Sequence, residues 1–158
     1  MVQEPNAIVA VCDYRSPQGF GPVITLYADR LVLQSRGMLG GGKLDDIPLA
    51  ALRGFYVYNT QYVRGDESVG QAFGQFLATW TDASGKRRVA KWVIDVDPPP
   101  FRALLQELAR LRPDASLVQL PVHQAHRALG LLSPRDVKLI TALCIVLFLV
   151  ILFAVLLH

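Results

Sequence analysis

The chain has 158 residues, 52% hydrophobic and 18% charged, with a formal net charge of +3. So mild a basic excess argues against a nucleic-acid binder, and two cysteines far apart in the chain, Cys12 and Cys144, give no disulfide framework. The numbers fit one domain with a core of its own in a reducing compartment.

The opening MVQEPNAIVAVCDYRS lacks a basic leader region, and its short apolar run is broken by Asp13, so no signal peptide is expected. Ala7 to Cys12 reads as the first strand. Val23–Ala28 and Leu31–Gln34 flank Asp29-Arg30 and read as a hairpin. A glycine-rich bend, Arg36 to Lys43, leads to two further runs of strand composition, Ile47–Leu52 and Gly54–Asn59. Thr60–Gly70 is polar and reads as a loop. Ala72–Thr81 and Arg87–Val96 flank the turn sequence Asp82–Gly85. Alternation in the last strand puts Arg88, Ala90, Trp92, Ile94 and Val96 on one face and Val89, Lys91, Val93 and Asp95 on the other, the pattern of a half-buried antiparallel strand.

The period then changes. Asp97 can cap, and Pro98 can open, a helix running to about Leu111, with Phe101, Leu104, Leu105, Leu108 and Leu111 on one stripe. Residues 116–133 read as a connector with a short helical stretch near Val122. The last run, Leu139 to Leu157, carries no charge. Its nineteen residues would span roughly 28 Å as a helix, the thickness of a bilayer core. Ser133-Pro134-Arg135-Asp136 has the form of a helix start. These features predict a C-terminal transmembrane anchor. Arg127, Arg135 and Lys138 precede the run and act as topology determinants, placing the N-terminal part in the cytoplasm by the positive-inside rule. The divisions expected are a domain at 1–115, a juxtamembrane connector at 116–133 and a single-pass anchor at 134–158, with the bacterial inner membrane as the location and the lipid bilayer as one partner.

Catalytic chemistry finds no constellation. Gly37 to Lys43 has the glycine and lysine spacing of a phosphate loop, but Leu44 stands where a magnesium-binding hydroxyl is needed. Asp45-Asp46-Ile47-Pro48 then repels phosphate and starts a strand rather than a helix. Asp45 and Asp46 are neighbours in an extended chain, point to opposite sides and read as solvated loop charges. His123 and His126 lack a third metal ligand at suitable spacing. No enzyme activity, cofactor or metal is expected.

The order of elements, several short antiparallel strands and then one amphipathic helix, resembles that of pleckstrin-homology-like domains. Residues 24–58, ITLYADRLVLQSRGMLGGGKLDDIPLAALRGFYVY, are similar to the core of bacterial PH-like and GRAM-type domains, with Asp29-Arg30 at the turn and Ile47-Pro48-Leu49 opening a later strand. The resemblance implies a mainly β fold, a PH-like barrel of about seven antiparallel strands capped by the helix at Phe101–Leu111. It also implies a binding module rather than an enzyme. The first hairpin loop carries only Arg15, where lipid-binding members carry a basic cluster.

Two surfaces are candidates. Tyr62 and Arg64, in the long loop, have residue types favoured at protein interfaces and would bind a membrane protein or complex, which makes the chain an accessory or scaffold subunit. Lys86, Arg87 and Arg88, with Lys91 beyond, form the densest basic cluster. They offer the alternative, a sensor of anionic lipid headgroups or an acidic surface.

Overall fold

The computed structural model describes residues 7–36, 42–59, 73–96, 98–132 and 134–156. Two compact units divide the chain, Met1–Gln119 and Leu120–His158.

Seven strands are described in the first unit. β1 (Ile8–Asp13), β2 (Gly21–Tyr27), β3 (Arg30–Arg36) and β4 (Gly42–Pro48) form one antiparallel sheet in that order. β5 (Leu52–Asn59), β6 (Phe73–Thr81) and β7 (Arg87–Asp95) form a second. Alternation is clearest on β2, β3 and β7, where every second side chain is buried. Ile24 and Leu26 on β2, Leu31 and Leu33 on β3, Phe76 and Ala78 on β6, and Ala90, Trp92 and Ile94 on β7 are all buried in the core. α1 (Pro99–Leu111) adds Phe101, Leu104 and Leu108 to the same core. The rings of Phe55, Phe76 and Phe101 form its aromatic centre, with centroids 6.5 and 6.4 Å apart. The helix begins at Pro99 with Pro98 at its cap position; Asp97 lies outside the described residues.

The strands do not close into the barrel that the resemblance implies; they form two sheets of four and three strands. The reason lies at the edges of the second sheet. β7 is an edge strand, and two of its carbonyls are taken by side chains, from Lys43 on β4 and Tyr14 just past β1, rather than by a strand. Lys43 Nζ donates to the Lys91 carbonyl at 3.2 Å, and Tyr14 Oη donates to the Asp95 carbonyl at 2.5 Å. At the other edge, the Leu117 amide donates to the Phe55 carbonyl at 3.0 Å and Ser116 forms a parallel bridge with Phe55. The chain leaving α1 thus covers β5. These contacts occupy part of each edge of the second sheet, and among the described residues no strand of the first sheet pairs with either edge.

Two local readings also change. β4 begins at Gly42, inside the expected bend, and ends at Pro48, where a 3-10 turn, Leu49–Ala51, replaces the expected strand through Leu52. The turn is fixed by the Leu49 amide donating to the Asp29 carbonyl at 2.8 Å. Residues 37–41 of the glycine-rich bend lie outside the described residues, and Lys43 and Leu44 stand in a strand rather than at a helix start.

The second unit contains α2 (Val122–Ala128) and α3 (Pro134–Leu156). α2 ends through Gly130, at φ +56°, with the Leu131 amide returning to the His126 carbonyl at 2.7 Å, a Schellman-type stop. Among the described residues no helix is long and apolar enough to cross a membrane. This overturns the expected tail anchor, the single-pass membrane location and the cytoplasmic placement derived from it. The described uncharged side chains of α3 run unbroken only from Leu139 to Leu149, about 16 Å of helix against a hydrocarbon core of ~30 Å. Arg135, Asp136 and Lys138 precede them, and the side chains of Val150, Leu152 and residues 154–158 lie outside the described ones. Arg127, Arg135 and Lys138 are exposed, but there is no span among the described residues for them to orient.

Candidate functional site

The tip of the β6–β7 hairpin is organised by one carboxylate. Asp82 Oδ1 accepts from the Ser84 amide at 2.9 Å, the Ser84 hydroxyl at 2.6 Å and the Lys86 amide at 2.9 Å, and Oδ2 accepts from Arg88 Nε at 2.7 Å. The Ser84 hydrogen bond and the Arg88 guanidinium hold its carboxyl down at about 2. Gly85 takes φ +79°, the left-handed backbone that lets the turn close, and a Cβ there would meet nothing, so the requirement is conformational. Asp82 therefore fixes where the following basic residues begin and neutralises one of them.

From this tip β7 presents an alternating strip. Ala90, Trp92 and Ile94 are buried, while Arg87, Val89, Lys91 and Val93 face out, with Val89 42% and Val93 59% exposed. The strip lies beside β6 in a fixed register, Arg87 opposite Thr81, Val89 opposite Thr79, Lys91 opposite Leu77 and Val93 opposite Gln75. Over four alternate positions it extends roughly 20 Å.

The structure separates the four basic residues that the sequence grouped. Lys86, Arg87 and Lys91 are exposed, with no salt bridge among the described residues, whereas Arg88 is paired to Asp82. Tyr62 and Arg64 lie outside the described residues. Of the nearby tyrosines, Tyr56 is buried and Tyr58 half-buried, and burial pushes the Tyr56 hydroxyl pKa up. Val89 and Val93 are the members that sequence reasoning missed. Their signal was present, since both are apolar residues on the face shared with Lys91 and Asp95.

Behind the strip sits an inter-sheet cluster that also escaped the sequence. Trp92 Nε1 donates to Asp45 Oδ2 at 2.6 Å, and Lys43 Nζ lies 3.2 Å from the same oxygen and 4.7 Å from the Trp92 ring centroid. Asp45 is thus a structural acceptor on β4, not a solvated loop charge, and its side chain is only 16% exposed. The cluster clamps β4 to the back of β7 and holds the strip in place.

Among the described residues no group of three histidine, cysteine or carboxylate side chains is placed to hold a metal ion. His126 Nδ1 lies 2.8 Å from the Val122 carbonyl within α2, while His123 is exposed. Comparison with family models, with curated proteins and with solved structures finds no match. The likeness of residues 24–58 to PH-like domains therefore rests on the sequence pattern alone.

Proposed function

We propose that this chain is a non-catalytic binding module that docks an acidic, partly apolar protein segment along the open face of β7. The observation that carries this reading is the strip itself. Lys86, Arg87 and Lys91 project beside Val89 and Val93, both substantially exposed. Cations without ion-pair partners gain most from an incoming carboxylate, and exposed valines between them reward burial. An extended segment with alternating acidic and apolar residues matches both periods.

The test places a photo-crosslinking residue at Val93 in the full-length chain and compares it with a variant in which Lys86, Arg87 and Lys91 are changed to glutamate. A crosslinked protein that is lost in the reversed variant, and whose capture weakens as salt is raised, supports the reading. Crosslinking indifferent to charge reversal refutes it. If no protein is captured and the reversal instead abolishes binding to phosphatidylserine-rich vesicles, the strip serves lipid headgroups.

A further inference from the structure

A second feature lies at the end of the second sheet, built from residues that the β7 strip does not use. β5 pairs with β6 through Leu52 opposite Trp80 and Gly54 opposite Thr79, so Arg53 is the extra residue of a β-bulge. A bulge turns its side chain away from the regular alternation, a device common beside binding sites. Here Arg53 is exposed and its Nε donates to Thr81 Oγ1 at 3.1 Å. Across from it stands Arg112, just beyond α1. Its Nε and Nη2 grip both oxygens of Asp114 at 2.9 and 2.7 Å, and Nη2 also donates to the Leu52 carbonyl at 3.0 Å. That pairing pushes the Arg112 pKa further up and the Asp114 carboxyl down. Ala50 and Ala51 complete the walls of a cleft of about 400 Å³.

We infer that this cleft binds an oxyanion, the carboxylate or phosphate group of a small molecule. Three features converge on it. Arg53 makes no salt bridge among the described residues, so its two Nη groups offer a fork toward the cleft while Nε is anchored on Thr81. Planar forks of this kind match carboxylate and phosphate oxygens two at a time. The Thr81 hydroxyl accepts from Arg53, which leaves its own proton to donate. Arg112 is held rigidly by Asp114 and the Leu52 carbonyl, so its charge is in place before a ligand arrives. Two guanidiniums against the single carboxylate of Asp114 leave the lining net positive, and small alanine walls leave room for the ligand.

Calorimetric titration of the full-length chain tests the assignment, with sodium phosphate and sodium acetate as probes and sodium chloride at matched ionic strength as the reference. Saturable heat with phosphate or acetate, absent with chloride, is expected. Arg53→Ala should weaken it about tenfold or more, as the loss of charge-assisted hydrogen bonds implies. Arg53→Lys should recover only part of the loss, because a lysine keeps the charge and loses the fork. Saturation by phosphate alone assigns a phosphate ligand, and saturation by acetate alone a carboxylate. Arg53 is exposed, so an unchanged melting temperature certifies that its variants are folded. Heats indistinguishable from chloride, or an Arg53→Ala variant that binds like the parent, would overturn the site. Neither result depends on whether the β7 strip binds a protein.

Discussion

Asp82 shows how much one side chain decides in this fold. Its four hydrogen bonds shape the hairpin tip and cancel the charge of Arg88, while Lys86 and Arg87 have no salt bridge among the described residues. Its carboxyl is held at about 2, below the ~3.9 of an unfolded chain. A depressed folded value means that its stabilising contribution is complete above the unfolded value and is lost as pH falls through the folded one. Carboxyl NMR titration should accordingly find Asp82 still ionised at pH 3, and protonated only near pH 2. Asp13, which the Arg15 guanidinium holds at about 2, should titrate in the same range. Asp45 acts through burial instead. Asp45→Ala removes the acceptor of the Trp92 indole and leaves a buried N–H unpaired, which costs about 1–3 kcal/mol in urea unfolding. The indole fluorescence should shift with it, since the Asp45 carboxylate and the Lys43 ammonium both touch that ring.

Among the elements, α1 was the most legible and the sheet edges the least. The stripe of Phe101, Leu104 and Leu108 at helical spacing predicts the face that is buried, and all three are fully enclosed. Leu108→Asp should therefore destabilise the first unit by several kcal/mol, the cost of an unpaired charge in a core. Gln106→Ala, on the exposed face, should stay within about 0.5 kcal/mol. Equal losses in thermal unfolding would mean that the helix sits in another register. The strands were legible for a similar reason, because alternation is local. What alternation cannot encode is which edges meet. Asp45 looks like a loop charge until Trp92, 47 positions away, is brought to it. Arg53 reads only as the residue between two expected strands until the pairing of β5 with β6 places it in a bulge. The distinction between a barrel and two sheets depends on such distant partners, here Lys43 and Tyr14 on the carbonyls of β7. The basic residues at the hairpin tip were legible as a cluster, but the pairing that removes Arg88 from it was not.

At the scale of the molecule, the core is self-contained. Every residue of the central hydrophobic cluster lies between Cys12 and Ala115, within the first compact unit. A fragment ending at Gln119 should thus unfold in a single cooperative transition, seen as coincident fluorescence and circular-dichroism curves. Curves that separate, or a fragment without a transition, would show that residues beyond Gln119 help build the fold.

The cover that Ser116 and Leu117 place on β5 sets a timetable for synthesis. The segment Gly54–Tyr58, GFYVY, is aromatic and apolar, and its cover is made roughly sixty residues later. At ~5–20 residues per second, the ribosome leaves that segment without its cover for about 3–12 s. In that interval every nascent chain carries an open, strand-forming edge of the kind that seeds association between neighbours. Chains stalled after Leu111 should accordingly be trapped by chaperones or aggregate, whereas chains released after Gln119 should not, because eight further residues are enough to bring the cover into place.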